Sequence, residues 1–229
     1  EIGEAEVEQW IRAFLRKRRP HLERSYRAAW EALGRSLRSG TLRDADLAKV
    51  VRAARAKESA LWQNATGWLA QLAGKHPEAR QAVRAMARDK LAHVRFSALC
   101  CLGSRSPRTL LLDVILPAIN DKSSRVRWKA ADIAGLVELR EGVPVIAERR
   151  RVERNPKVQR TLDFILPRLG DAHTLEERDG ELFLTVRRLG RMKTERVSKA
   201  RIRRRGLPTI VEEWRQELES SVVRIKYLP

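Results

Sequence analysis

Apolar residues recur along this chain in a helical rhythm, and the rhythm itself repeats. The segments DKLAHVRFSALCCLG at 89–103 and DKSSRVRWKAADIAG at 121–135 share D-K-x-x-x-V-R-aromatic-x-A at an offset of 32 residues. A further step of 32 carries Val126 to Val158, and a step back carries Val94 to Trp62. Trp62, Val94, Val126 and Val158 thus form one column, position 0 of the repeat. At position 4 stand Thr66, Ala98, Ala130 and Leu162. At position 7 stand Leu69, Cys101, Ile133 and Ile165, and at position 8 Ala70, Leu102, Ala134 and Leu166. Positions 0, 4, 7 and 8 share one stripe of an α-helix, so each unit contains an amphipathic helix that buries that stripe.

A second set of helices precedes these, predicted at 44–57, 77–89, 108–119 and 142–153, with Leu47, Ala79, Leu111 and Val143 again 32 apart. Breaks at Lys75-His76-Pro77, Gly103 to Pro107 and Gly142 to Pro144 punctuate the pairs. Residues 4–38 read as a fifth pair broken at Arg19-Pro20, out of register with the rest, as a capping unit is. The expected fold is mainly α: a right-handed α-α superhelix of about five helix pairs over 1–170, with 1–38 as a degenerate cap, and a small mixed α/β element over 171–229.

With the repeat in place, the chain resembles the HEAT-repeat family. The residues that carry the likeness are Leu116-Pro117 near the end of a first helix, the turn aspartates Asp89 and Asp121, and Val94-Arg95 and Val126-Arg127 opening the second helices. The resemblance implies a ladder in which turn Asp and helix Arg pair within and between repeats, which makes Asp89, Asp121, Arg95 and Arg127 structural. The fourth unit carries Glu153 and Gln159 at these places and the unit at 57–74 carries Lys57 and Gln63, so the ladder is expected to lapse there.

Helical geometry also selects what the second helices present away from the core. With a step of about 100° per residue, positions 2 and 6 of the repeat point outward. They hold Asn64 and Trp68, Phe96 and Cys100, Trp128 and Asp132, Arg160 and Phe164, so every unit sets one ring there. Leu61, His93, Arg125 and Lys157 stand at position −1, and Lys129 flanks Trp128. Two readings stand side by side. The rings floor a groove edged by cations, as single-strand and flipped-base binding require, or a tightly curved solenoid buries them against the next helix or the C-terminal segment. Asp132 and Trp128, four apart in WKAAD, are similar to the aromatic and catalytic Asp of the HEAT-like alkylpurine DNA glycosylases. That likeness implies a carboxylate that steadies a sugar cation; a plain solvated Asp pairing with Lys129 or Arg160 is the simpler reading.

Composition narrows the classes. Of 229 residues, 48 are Lys or Arg and 29 Asp or Glu, a net charge of +19. Arg outnumbers Lys 37 to 11, a bias that a GC-rich genome also produces. Residues 1–170 carry +15 of the charge and residues 171–229 carry +4. Such a surface attracts phosphate or acidic protein. Cys100 and Cys101 are adjacent and build no disulfide framework, and no apolar run is long enough to span a membrane. The chain opens EIGEAEVEQW without an initiating Met or a signal-peptide core. A piece of a cytoplasmic protein is therefore expected. Four scattered histidines predict no metal site, and no phosphate loop, nucleophile elbow or HExxH motif predicts a cofactor or other chemistry.

Beyond Gly170 the period stops. Residues 181–189 and 222–228 read as strands, and 207–220 as an acidic helix capped by Thr209, with Ile210, Val211, Trp214 and Leu218 as its docking stripe. Residues 187–205 hold ten basic residues and one acid. Arg201, Arg203, Arg204 and Arg205 are candidate phosphate contacts there, unless Glu212, Glu213, Glu217 and Glu219 offset them. Residues 194–205 read either as a helix capped by Thr194 and ended by Gly206 or as a strand. A non-enzymatic binding module for nucleic acid is the first expectation, a scaffold for an acidic protein the second, and a glycosylase the third.

Overall fold

A computed structural model describes residue 9 and residues 19–169, 173–188 and 191–225. The chain is mainly helical, with one small three-stranded antiparallel sheet. It divides into two compact units, Glu1–Val137 and Glu138–Pro229. The change of composition at Gly170 thus lies inside the second unit rather than between the two. The first helix of the N-terminal pair, expected before Arg19, lies outside the described residues.

In the first unit the helices are α1 (Pro20–Ser39), α2 (Asp44–Ala54), α3 (Ser59–Lys75), α4 (Pro77–Ala87), α5 (Ala92–Cys100), α6 (Arg108–Ile119) and α7 (Ser124–Leu136). Prolines open α1 and α4, where a missing N–H costs nothing. Gly40 ends α1 in the left-handed region at φ 70° and returns its N–H to the Ser36 carbonyl. The repeating stripe is buried as the period requires: Val94, Ala98, Cys101 and Leu102 in α5 and just beyond it, and Val126, Ala130, Ile133 and Ala134 in α7. Each second helix packs against its own first helix, and α3, α5 and α7 also lie against one another in turn. Helix α5, with a neighbour on either side, is therefore buried at every residue from Val94 to Leu99.

The turns carry the ladder. Arg95 donates Nε and Nη2 to the Asp121 carboxylate at 2.6 and 2.8 Å, and its Nη1 caps the carbonyls of Asp89 and Lys90. Asp121 in turn accepts the Ser123 N–H at 2.7 Å, as Asp89 accepts that of Leu91 at 2.8 Å. Arg127 caps the carbonyls of Asp121 and Lys122. The two units expected to lack the ladder keep part of it. Glu153 accepts the Asn155 N–H at 2.8 Å and Gln159 donates to the Glu153 carbonyl at 2.6 Å, so Glu and Gln reproduce the local half with uncharged or longer groups. At the other end Gln63 offers no cation, and Arg55, at the end of α2, reaches Asp89 instead at 2.6 Å.

A second buried carboxylate joins α1 to α2. Asp46 is 2% exposed and receives Arg35 at 2.8 Å and Arg43 at 2.7 Å, with Lys49 at 3.6 Å. The hydrogen bond from Arg35, aided by Arg43 and opposed by burial, lowers its pKa to about 2. A depressed carboxylate pKa contributes stability that is complete above the unfolded value, near 4, and is lost as pH falls through about 2. Denaturant unfolding measured from pH 5 to 2 is expected to show an acid-side loss about 2 kcal/mol larger in the native protein than in Asp46→Asn. Equal slopes would show that Asp46 titrates normally.

The second unit holds a short 3-10 turn (Arg140–Gly142), α8 (Val143–Val152), α9 (Pro156–Leu169), β1 (His173–Arg178), β2 (Glu181–Arg188), β3 (Arg191–Arg196), α10 (Lys199–Arg205) and α11 (Leu207–Ile225). Strand β2 is central, antiparallel to both neighbours. Asp179 and Gly180, at φ 52° and 75°, form the two-residue turn between β1 and β2. Both positions need the left-handed region that suits a primed hairpin turn, and Asp-Gly supplies it. Leu184 and Val186 of β2, with Val197, pack on Ile210, Val211, Trp214 and Leu218 of α11, the stripe read from the sequence.

Two local expectations fail here, and a third reading resolves into both of its alternatives. Residues 222–225 continue α11 rather than forming a strand, because the helix runs on from its docked portion without a breaker and overrides local β-propensity; 226–228 lie outside the described residues. Thr209 is not a cap, since α11 begins at Leu207 directly after Gly206, which turns at φ 79°. Of the two readings of 194–205, strand holds for Thr194 to Arg196 in β3, and helix for α10, which ends at Gly206 as read but is capped by Ser198, accepting the Arg201 N–H at 3.0 Å, not by Thr194.

Candidate functional site

The outward rings of the first unit are the first test of a groove. Trp68 is 6% exposed and Phe96 7%, so neither lies open. The wheel that placed them outward treats each helix alone. In the folded unit the same flank is covered by the neighbouring helices. Trp68 meets Tyr26 edge-on at 4.9 Å and Trp30 at 5.6 Å, both from α1, and Phe96 of α5 meets Trp62 of α3 edge-on at 5.8 Å. These contacts are core packing of the kind that stabilises ring pairs by about 1 kcal/mol.

Above this layer the first unit keeps its cations. Arg125 is exposed, with its guanidinium 4.3 Å from the centre of the Phe96 ring. Lys129 stands 5.8 Å from the half-buried Trp128 ring and donates to Asp132 at 2.8 Å. The Asp132 carboxylate is thus a lysine partner on the surface of its own helix, its side chain 47% exposed. Burial holds the Cys100 thiol above its ordinary value while Lys129 and Arg125 pull it down; Cys101 is pushed up further by full burial. Neither is a low-pKa thiol of the kind that attacks substrates.

The period shows a second cationic column that the outward positions did not reveal. Lys90, Lys122 and Arg154 stand 32 apart at position −4, as do His93, Arg125 and Lys157 at position −1. Each column sits where a second helix begins. Lys90, Lys122 and Arg125 are exposed in the first unit, and Arg154 and Lys157 in the second. The shared residue type at position −4 is a signal the sequence carries in plain sight, one helical turn before the buried stripe.

In the second unit α9 carries one face of cations around a ring. Lys157, Arg160 and Arg168 are exposed, and Phe164 is 61% exposed. The Arg168 guanidinium stacks 4.1 Å from the Phe164 ring. Phe164 is the single ring of the four that stays outward in full. Asp163, on the next face, is held by Arg150 of α8 at 2.5 and 3.0 Å.

The basic run at 187–205 is spread over β2, β3 and α10, and acids answer part of it. Lys193 bonds Glu217 and lies 4.7 Å from the Trp214 ring; Arg196 pairs with Glu181, Lys199 with Glu177, and Arg205 with Glu213. Arg201 is half-buried, while Arg203 and Arg204 are exposed.

Among the described residues no cluster of three His, Cys, Asp or Glu side chains is arranged to hold a metal ion, and no helix is long and apolar enough to cross a membrane. No family model matches the sequence, and no curated protein is significantly similar to it. Among solved structures, the chain is similar to the crystal structure of an engineered protein from the Northeast Structural Genomics Consortium, at 15% identity and a TM-score of 0.37, over 72% of this chain and 78% of that one.

Proposed function

We propose that the chain is a non-enzymatic binding module built as a HEAT-like superhelix, and that its partner is nucleic acid held through phosphates. The observation that carries this reading is the exposed cations in repeat register, Lys90, Lys122 and Arg125 in the first unit and Arg154 and Lys157 in the second. Core packing accounts for the buried stripe, and the turn ladder accounts for Arg95 and Arg127. Neither requires a cation at Lys90, Lys122 or Arg125 of the first unit, or at Arg154 or Lys157 of the second. Within each unit, exposed cations at these positions suit phosphates, with each neutralised phosphate releasing counterions. The non-enzymatic reading is supported by Asp132, which lies on an exposed helix face engaged by Lys129 rather than in a desolvated cleft where it would stabilise a sugar cation. The free thiols Cys100 and Cys101 fit a reducing, cytoplasmic setting.

Binding is expected to weaken steeply between about 50 and 200 mM salt, as counterion release requires. Lys90→Glu with Lys122→Glu is expected to weaken it by about tenfold or more and to reduce the salt slope by roughly 2. Both side chains are exposed, so the fold should be unchanged by circular dichroism. A salt-independent affinity, or one untouched by the double reversal, would refute the reading. Binding to acidic protein but to no nucleic acid would move the partner to the scaffold class.

A further inference from the structure

We infer that the α9 face of the second unit takes single-stranded nucleic acid, with one base stacked on Phe164 and the backbone on Lys157, Arg160 and Arg168. The inference rests on the nucleic-acid reading above and narrows it to a strand form.

The argument starts from where rings are available. Trp68 and Phe96 are buried by their own unit, so base stacking in the first unit has no platform at those positions. Phe164 is different. Phe164 stays 61% exposed even with the Arg168 guanidinium of its own helix stacked on it, and burying the rest of the ring against a base is favourable. Its neighbours on the helix face at −7, −4, −3 and +4 are Lys157, Arg160, Thr161 and Arg168, none acidic. The face therefore joins one stacking surface to three cations.

From Lys157 to Arg168 the face is about 16 Å long at 1.5 Å per residue, the length of four or five stacked nucleotides at ~3.4 Å each. The guanidinium beside Phe164 at 4.1 Å keeps a planar cation within reach of the phosphate attached to a stacked base. A duplex gives up this contact, because its base faces are already stacked within the helix and only phosphates are offered to α9. The cations alone hold either form; the ring discriminates between them.

The test compares oligothymidylate and oligouridylate with a duplex of the same length, at one salt concentration, for the native chain and two variants. Both single strands are expected to bind more tightly than the duplex. Phe164→Ala is expected to weaken single-strand binding about tenfold, within the roughly 1–3 kcal/mol that one stacked base contributes, and to leave duplex binding unchanged. Phe164→Trp is expected to restore the affinity, which a merely structural role of Phe164 would not explain. A duplex that binds as tightly as the single strands, or a Phe164→Ala variant with native affinity, overturns the inference while the phosphate reading stands. If neither form binds at low salt, both fall together.

Discussion

Replacing Arg95 with Ala is expected to cost about 3–5 kcal/mol of stability, the range for removing one partner of a buried ion pair. Both side chains are nearly enclosed, Arg95 at 8% and Asp121 at 10% exposure. The guanidinium satisfies the Asp121 carboxylate at both oxygens and two turn carbonyls besides. Its loss leaves a carboxylate with burial against it and the Arg95 contribution gone, in a place where burial raises its pKa and Arg95 lowers it. Arg95→Lys should recover little, since an ammonium cannot make the bidentate contact and reach the carbonyls together. Arg84→Ala is the internal comparison, because Arg84 meets Asp113 at 2.8 Å with the acid 46% exposed. Exposed pairs of that kind are worth less than about 1 kcal/mol. Denaturant midpoints measured for both variants check the contrast. A double-mutant cycle with Asp121→Ala should return a coupling of about 1–3 kcal/mol. If Arg95→Ala costs no more than Arg84→Ala, the ladder does not hold the repeats.

The ladder was legible only as what the family resemblance implied, on Asp89-Arg95 and Asp121-Arg127; the buried stripe was legible because it repeats. A column that must be buried in every unit leaves apolar residues at each step of 32, and four aligned units separate a constraint from chance. The helix bounds followed from the same columns. What one column does not encode is which of its flanks the neighbouring helix will cover, since that depends on how α3, α5 and α7 lie against one another. For that reason Trp68 and Phe96, outward on the isolated wheel, are covered in the fold, while Phe164 stays exposed. The ladder at Glu153 and Gln159 was missed through residue type: a hydrogen bond to a carbonyl needs a donor, not a charge. In the sheet, β1 passed unread although Asp179-Gly180 before ELFLTV is a strong hairpin signal. At the end of α11 local propensity pointed to a strand, but docking had already set the helix axis. Local preference decides where packing is silent, and here packing was not silent.

The second large effect belongs to that docked helix. Trp214→Ala is expected to cost about 3–5 kcal/mol, as deletion of a buried large ring does. Trp214 is 1% exposed and packs within a core of Leu184, Val186, Val197, Ile210, Val211 and Leu218. A core so small has few other residues to close the void. The apolar face of the three strands is covered by this helix, so the sheet loses its packing partner with the ring. Lys193, which lies over the ring at 4.7 Å and bonds Glu217, would lose its aromatic partner as well. Because the chain forms two compact units, the damage should be local. Amide exchange is expected to quicken across β2, β3 and α11 while α5 to α7 keep their protection. Trp214→Phe, which keeps most of the buried volume, should cost about 1–1.5 kcal/mol. Protection lost evenly along the whole chain would mean that the two units unfold as one.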